Sequence, residues 1–271
     1  MVNTDKRYNE LTGKEWLQYS FSIWRDIRKS AEENKLQHPA MFPEQLASRV
    51  IDIYTKKSNT VLDPFMGAGS TVLASYKKGR KGIGIELSKE FIIIANNRLK
   101  ETKKVKIEHA IEPVIFKDDC RNMMNHLKKE SVDLCLTSPP YWDILTRNRT
   151  ADKQDTRKYS DSNSDLGNIN DYIKFLNELR KVFLSVYEAL KTNGHCVIVL
   201  MDIRKKDKFF PFHSDMAKIM EELGFVYEDL IIWDRQHEYN NMKPLGYPYV
   251  FRVNKVHEYI LIFRKRAASN G

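Results

Sequence analysis

The residues best suited to chemistry follow an apolar run that predicts a buried strand. The stretch LTSPPYW, residues 136 to 142, comes directly after SVDLC. Proline fixes its own φ, lacks an N–H and restricts the residue before it, so Ser138, Pro139 and Pro140 should form an extended segment with free carbonyl groups. Ligands of open α/β sheets bind outside the carboxyl ends of the strands. This segment is therefore a candidate site.

A glycine-rich turn, DPFMGAGST (63 to 71), is the second candidate. Gly67 and Gly69 let the backbone approach a ligand closely, and the helix expected after them offers unpaired N–H groups. A dinucleotide fingerprint would place a third glycine at position 72, where the sequence has Val72. The turn therefore favours a mononucleoside over a pyrophosphate.

Acidic residues end the next two predicted strands. Glu86 lies 19 residues after Gly67, where a carboxylate can accept both hydroxyls of a ribose. The alternative is a tight turn beside a surface carboxylate. Asp118 and Asp119 close the third strand, where a carboxylate could accept a hydrogen bond from an adenine amine; helix N-capping is the alternative for Asp119. The order of these groups predicts an adenosyl cofactor lying across the sheet, beside the proline-rich segment.

The elements that must position these residues alternate between strand and helix, which predicts an α/β fold. Helical spacing covers residues 13 to 34, and HPAMFPEQL starts a further helix. Strand, turn and helix follow in NTVLDPFMGAGSTVLASYKKG. Later segments include the helices KEFIIIANNRLKE and CRNMMNHLKK, a long helix near 169 to 194, and the strands HCVIVLM, FVYEDLIIW and HEYILIFRKR.

Composition limits the class of protein. The 271 residues fit one domain, 1–271, and the net charge of +9 with a pI near 9.2 indicates a polyanionic partner, unless the lysines only solvate the surface. Three scattered cysteines predict core thiols in a reducing compartment. The amino terminus has no apolar signal region and no apolar run could span a bilayer. A cytoplasmic protein with no membrane partner is expected.

DPFMGAGST followed by TSPPYW, with HPAMFPEQL upstream, resembles the amino-group DNA methyltransferases that use S-adenosylmethionine and carry the cofactor motif before the catalytic motif. The serine form of the catalytic tetrapeptide resembles the cytosine-N4 branch. The similarity runs from about Thr12 to Arg266 and includes HEYILIF. It implies a Rossmann-like class I methyltransferase fold, with a mostly parallel seven-stranded sheet, an antiparallel last strand and helices on both faces.

The same resemblance implies the cofactor contacts and requires no metal. His38, Pro39, Phe42 and Pro43 would enclose the methionine end, although a helix start with an apolar staple is the alternative there. The other implied cofactor-binding residues are Asp63, Pro64, Phe65, Gly67, Gly69, Ser70, Thr71, Glu86, Leu87, Asp118, Asp119, Cys120 and Thr137.

The proline-rich segment suits methylation of an exocyclic amine. The Ser138 hydroxyl and the Pro139 carbonyl can each accept one amine hydrogen, which favours a pyramidal nitrogen whose lone pair faces the methyl group. Tyr141 would stack on a base flipped out of the duplex. Carbon-5 methylation of cytosine needs a thiolate nucleophile, and no cysteine follows a proline in a loop site.

Two loops are candidates for DNA recognition, since no separate recognition domain is visible. They are residues 143–168 and 234–255, and in the second the alternative is a hairpin whose tyrosines pack against the core. Trp142 would extend the wall of the base pocket, or else be a buried core aromatic, and Asp202 would point into that pocket. The remaining candidate DNA contacts are Arg147, Arg149, Arg157, Lys158, Arg204, Arg235, Asn240, Asn241, Lys243 and Arg252.

The predicted function is methylation of cytosine N4 at specific sites in double-stranded DNA, in a restriction–modification setting. Adenine-N6 methylation by the same mechanism is the first alternative. An RNA substrate, a small-molecule substrate and a catalytically silent DNA-binding subunit are further ones. A homodimer and a cognate restriction endonuclease are possible partners.

Overall fold

The computed structural model describes residues 7–36, 41–143, 165–239 and 244–267. Its α-helices are α1 (Gly13–Tyr19), α2 (Ala31–Lys35), α3 (Glu44–Tyr54), α4 (Ser70–Lys77), α5 (Lys89–Thr102), α6 (Tyr172–Ala189) and α7 (Phe212–Glu222). Its strands are β1 (Ile23–Trp24), β2 (Thr60–Asp63), β3 (Lys81–Glu86), β4 (Val114–Lys117), β5 (Val132–Thr137), β6 (Leu190–Leu200), β7 (Ile203–Lys205), β8 (Lys208–Phe210), β9 (Phe225–Asp234) and β10 (His257–Lys265).

The main sheet has the order β1-β9-β10-β6-β5-β2-β3-β4. Strand β10 is antiparallel to both of its neighbours, β6 and β9, and the other pairs in the sheet are parallel. The predicted mostly parallel fold with an antiparallel last strand is therefore confirmed. The predicted strand number of seven is one too low, because the two-residue strand β1 adds an edge beside β9.

Two helix predictions are corrected. Residues 13 to 34 form α1, β1 and α2 instead of one helix, because Thr12 with Glu15 and Ser30 with Glu33 build separate capping boxes. Between them Trp24 is buried and pairs with Trp233 of β9. The stretch CRNMMNHLKK forms a short 3₁₀ helix, Cys120–Asn125.

Apolar side chains are buried on both faces of the sheet. Along β5, Cys135 belongs to the cluster formed with α6 and α7, whereas Leu134 and Leu136 belong to the cluster formed with α3. Alternate residues of a strand face opposite sides, so β5 is covered on both. Among the described helices, none is long and apolar enough to cross a membrane.

The strand directions bring six connections to one edge of the sheet. Strands β2, β3, β4, β5, β6 and β9 all point the same way, since β10 is antiparallel to both β6 and β9. In that order, their carboxyl ends lead into the glycine turn, the loop after Glu86, the acidic pair Asp118 and Asp119, the proline segment, the β7–β8 hairpin and the connection that begins at Arg235. This edge is where an open α/β sheet binds ligands.

Strand β6 lies close to the amino end of β5, and Gly194 permits this approach. A Cβ at Gly194 would lie 2.9 Å from the Lys191 carbonyl oxygen and 3.0 Å from the Asp133 carbonyl oxygen. We expect Gly194→Ala to lower the free energy of unfolding by about 1 to 3 kcal/mol, because backbone atoms would have to shift. Urea denaturation measures it. Gly13→Ala, where a Cβ would meet nothing within 4 Å, is the control and should not destabilise.

Candidate active site

The glycine turn joins β2 to α4 through two left-handed residues. Gly67 has φ +52° and Gly69 has φ +84°, and Gly69 is the N-cap of α4. A Cβ at Gly69 would also lie 2.9 Å from the Ala95 Cβ. Both the backbone conformation and the close packing therefore require glycine at position 69.

Asp63 connects the turn to the proline segment. Its buried carboxylate accepts hydrogen bonds from the Thr71 hydroxyl at 2.7 Å, the Thr137 hydroxyl at 2.6 Å and the Phe65 N–H at 3.1 Å. Burial raises the pKa of Asp63 to about 6. Thr137 immediately precedes Ser138, so one carboxylate positions the turn, the start of α4 and the end of β5. Direct contact of these three residues with a cofactor stays a prediction.

Glu86 joins β3 to the same turn. One of its oxygens accepts the Gly67 N–H at 2.8 Å and the other accepts the Ser88 N–H at 2.7 Å. Burial raises the pKa of Glu86 to about 7. Glu86 is half-buried and not fully exposed at the surface, and its contact with a ribose stays a prediction. Each carboxylate oxygen has two lone pairs, so these bonds leave acceptor capacity for a ligand hydroxyl.

The acidic pair after β4 divides its roles. Asp119 accepts the Arg121 N–H at 2.9 Å and caps the 3₁₀ helix, as the capping alternative predicted. The Asp118 carboxylate accepts from Asn122 Nδ2 at 3.0 Å and lies 2.7 Å from His126 Nε2. These hydrogen bonds lower the pKa of Asp118. Cys120 is buried, and burial raises the pKa of its thiol.

The catalytic tetrapeptide extends from β5 at the same edge. Pro139 is buried, whereas Ser138, Pro140 and Tyr141 are half-buried. The Ser138 hydroxyl donates to the Tyr141 hydroxyl oxygen at 3.3 Å, and the Tyr141 hydroxyl donates to Glu258 Oε2 at 2.8 Å. A donated proton leaves the lone pairs of the Ser138 oxygen able to accept.

Glu258 is a site residue that sequence reasoning missed. It lies in β10, is only 5% exposed, and its second oxygen bonds Arg235 Nη1. Arg235 also donates to Glu238 Oε2 at 2.5 Å. These two ion pairs argue against the predicted DNA contact by Arg235. A glutamate inside the apolar run HEYILIF was the available signal, since a buried carboxylate needs a partner.

Two predicted members of the base pocket lie elsewhere. Trp142 is buried and packs against Tyr172 and Phe210, with ring centroids 5.1 and 5.0 Å away, so the core alternative is right. Asp202 is buried and accepts the His213 N–H at 3.1 Å at the start of α7, instead of pointing into the pocket.

Some of the remaining candidates lie within the described residues, and the others lie outside them. Phe42 is buried in the core cluster with Leu46, and Pro43 is the N-cap of α3, which favours the apolar-staple alternative. Pro64 and Ser70 are buried, whereas Phe65, Leu87, Arg204 and Arg252 are half-buried. Outside the described residues lie His38, Pro39, Arg147, Arg149, Arg157, Lys158, Asn240, Asn241 and Lys243.

Metal ligation has no candidate in the described ranges, where no group of three or more His, Cys, Asp or Glu side chains could hold an ion. The described site consists of a glycine turn, the half-buried Glu86 carboxylate and a proline segment on one edge of the sheet.

Sheet order and site together define the class of Rossmann-like class I methyltransferases. A solved S-adenosylmethionine-dependent methyltransferase from Methanosarcina mazei shares the fold, with a TM-score of 0.50 at 12% identity, over 80% of this chain and 97% of that chain. The chain matches the profile of the DNA methylase family N6_N4_Mtase over residues 2–97 and 132–270 and belongs to that family. The predicted amino-group DNA methyltransferase family is thus confirmed; its cytosine branch stays a prediction.

Two curated relatives match shorter regions. The orphan methyltransferase M.BamHII of Bacillus amyloliquefaciens is 43% identical over 84 residues, 30% of this chain and 32% of that protein. The type II methyltransferase M.BglI of Bacillus subtilis is 37% identical over 109 residues, 36% of this chain and 30% of that protein. The matched region thus covers about a third of each relative.

The Tyr141–Glu258 contact yields a prediction about turnover. Glu258→Gln replaces a carboxylate that accepts from Tyr141, so the tyrosine loses a charge-assisted hydrogen bond and its ring is held less firmly. We expect kcat to fall about tenfold, since hydrogen bonds to charged groups are worth about 1.5 to 3 kcal/mol, with little change in cofactor Kd.

Glu238→Gln is the matched control, because Glu238 pairs with the same arginine. Both variants should lose stability in urea, but only Glu258→Gln should lose kcat. In a Tyr141→Phe background the Glu258→Gln substitution should have little further effect on kcat. Equal kcat losses in the two glutamine variants would assign Glu258 a purely structural role.

Proposed function

We propose that this protein transfers a methyl group from S-adenosylmethionine to the N4 amine of cytosine at specific sites in double-stranded DNA. The observation that carries the proposal is the Thr71–Asp63–Thr137 link, which holds the glycine turn against the strand that ends in Ser138. It joins a nucleoside-type turn to an amine-type acceptor site. Family membership supports the reaction class.

The residues at the turn fit the adenosyl cofactor. The turn has glycines where backbone must approach a ligand, and buried Val72 where a pyrophosphate turn would need glycine. Glu86 keeps acceptor capacity for ribose hydroxyls beside the half-buried Phe65 and Leu87. When bound, the cofactor supplies a methyl group on a strongly electrophilic sulfonium.

The remaining task of the protein is to orient the amine. In this proposal the Ser138 hydroxyl and the Pro139 carbonyl accept the two amine hydrogens, so that the nitrogen lone pair faces the methyl group. The N–C bond would form as the S–C bond breaks, S-adenosylhomocysteine would leave, and the amine would lose one hydrogen as a proton to solvent. Tyr141, tied to Glu258, stacks on the base. Proximity and alignment of this kind can lower the barrier by about 7 to 11 kcal/mol. Extruding the base costs a few kcal/mol, which contacts with the pocket and DNA backbone must offset.

The choice of cytosine rests on the serine that opens the tetrapeptide, and adenine N6 is the alternative because the family name covers both amines. The relatives named as type II methyltransferases support a restriction–modification setting. In that setting the protein acts in the cytoplasm, with a cognate endonuclease or a second copy of itself as a possible partner.

Nucleoside mass spectrometry tests this function. Unmethylated DNA is incubated with the protein and S-adenosylmethionine, digested and analysed. N4-methylcytosine is the expected product, and sequencing of the modified sites gives the target. N6-methyladenine would transfer the proposal to adenine, and no methylated base on any DNA would refute it.

Ser138 separates chemistry from cofactor binding. Ser138→Ala removes one of the two amine acceptors, and loss of one oriented group in a preorganised site typically lowers kcat about 100-fold. Cofactor affinity, measured by calorimetry, should stay within about twofold. Ser20→Ala, at an exposed serine whose hydroxyl donates to the Leu17 carbonyl, is the control. A collapse of cofactor affinity with normal turnover would contradict the assignment.

Glu86 makes cofactor affinity depend on pH. Because burial raises its pKa to about 7, the carboxyl ionises between pH 6 and 8, and the ionised form accepts ribose hydroxyls more strongly. Affinity should therefore rise with pH in this interval. Methylthioadenosine is the suitable probe, since it has the ribose but no titrating amino acid group.

Glu86→Gln should weaken methylthioadenosine binding about tenfold at pH 8 and abolish the rise, because a neutral amide neither titrates nor offers a carboxylate. Glu90→Gln, at an exposed position of α5, should behave like the unmodified protein. An unchanged pH profile in Glu86→Gln would remove Glu86 from the ribose site.

A further inference from the structure

Residues 244–254, here called the aromatic segment, display large apolar side chains to solvent. Tyr247, Tyr249 and Phe251 are 78%, 91% and 93% exposed, and Val250 and Val253 are exposed as well. The alternative that these tyrosines pack against the core is therefore wrong. A contiguous apolar patch of this kind on a protein surface marks a contact site.

The backbone of the aromatic segment is held in a defined turn. The N–H groups of Tyr249 and Val250 both donate to the Gly246 carbonyl at 2.8 Å. Gly246 has φ +79°, and a Cβ there would lie 2.2 Å from the Val250 carbonyl oxygen. The aromatic side chains are thus presented outward by a turn that only glycine can make.

The two ends of the connection that carries the aromatic segment lie at the tetrapeptide Ser138 to Tyr141. It connects β9 to β10 at the carboxyl edge of the sheet, between Arg235 and Glu258, which are ion-paired to each other. Glu258 in turn accepts the Tyr141 hydroxyl. Arg235 and Glu258, which flank the connection carrying the exposed rings, are therefore tied to the residue proposed to stack on the target base.

A cationic hairpin, β7–β8, flanks the aromatic segment. Lys255, just after the segment, donates to the Asp202 carbonyl at 2.8 Å and lies 4.9 Å from the Phe209 ring centroid. The Arg204 guanidinium lies 5.6 Å from the same ring. At the hairpin tip, Lys206 and Lys208 are exposed and make no ion pair within the described part of the chain.

We propose that the aromatic segment and the cationic hairpin form one DNA-binding surface. Lys206 and Lys208 hold backbone phosphates, while Tyr249 and Phe251 contact bases of the duplex and occupy the space that the extruded target base leaves. Charge complementarity commits this surface to DNA, since the hairpin with the exposed Lys206 and Lys208 is joined through Lys255 to the end of the aromatic segment and the chain carries a net charge of +9. The inference rests on the proposed function and specifies how its substrate is held.

The aromatic contact is tested on two duplexes that contain the sequenced target site. In one the target base is paired, and in the other it faces an abasic position, so that extrusion costs little. We expect Phe251→Ala and Tyr249→Ala to lower kcat/KM at least tenfold on the paired duplex and less than threefold on the abasic one. Leu184→Ala, an exposed apolar residue near the opposite end of the sheet, should change neither.

The outcomes separate this inference from the proposed function. If the alanine variants methylate both the paired and the abasic duplex at the rate of the unmodified protein, the aromatic contact is overturned and the proposed function is not. Equal losses on both duplexes would also overturn it. If the unmodified protein self-associates in sedimentation, and Phe251→Ala abolishes this association but retains DNA affinity, the patch binds a second copy of the protein instead of DNA. Absence of methylation on either duplex by the unmodified protein would refute the proposed function itself.

The phosphate contacts are tested by salt dependence. Each phosphate neutralised contributes about 0.9 to the slope of log Kd against log salt on duplex DNA. The double variant Lys206→Ala/Lys208→Ala should lower that slope by about 1.8, independent of sequence. Lys128→Ala/Lys129→Ala, which removes two exposed lysines before β5, is the charge-matched control. If the slope decreases equally in both double variants, the effect is due to net charge alone and the hairpin contact is overturned.

Discussion

The buried Asp63 carboxylate is the interaction on which the arrangement of the site depends. It is 1% exposed and its three donors come from the glycine turn, from α4 and from β5. A buried carboxylate without partners is costly, so the three elements gain stability only when they meet at this point. The Thr137 hydroxyl is one residue away from Ser138, and the contact therefore sets where the catalytic segment begins.

Glu86 is a second carboxylate that holds the glycine turn, from the neighbouring strand β3. Its bonds to the Gly67 and Ser88 N–H groups tie β3 to the turn and use a carboxylate whose pKa burial raises to about 7. Two acidic groups thus hold one short loop of backbone from neighbouring strands. Because Asp63 and Glu86 fix its backbone, the turn can present its remaining N–H groups in one orientation. A preorganised ligand site requires this.

A second network links the catalytic segment to the far side of the sheet. Glu258 lies in β10, bonds Tyr141 and is ion-paired with Arg235 at the end of β9. Breaking a buried pair is strongly destabilising because it leaves an uncompensated charge. Tyr141 and Arg235, which precedes the connection carrying the aromatic segment, are therefore held by the same carboxylate, which links the proposed base pocket to the connection that carries the proposed DNA surface.

The sequence alone determined the fold class, the glycine turn and the position of the proline segment at the end of β5, because these depend on local periodicity and on residues with restricted backbones. For Trp142 the sequence offered the alternative of a core aromatic, and for Asp119 that of a helix N-cap. The structure shows both. Residues 13 to 34 misled, since their helical spacing continues through two separate capping boxes and a short edge strand. A local pattern does not show where a short segment pairs with a strand that is distant in the sequence, as β1 pairs with β9.

Only the tertiary structure decided which charged groups are partners. Arg235 and Asp202 looked available for DNA, but contacts with Glu258 and His213 occupy them. Glu258 and Tyr141 are 117 residues apart, and Thr137 and Asp63 are 74 apart. Such pairs form because the carboxyl ends of the parallel strands and the amino end of antiparallel β10 meet at one edge of the sheet, and their contacts depend on strand order and register. Residue types and their spacing determine neither.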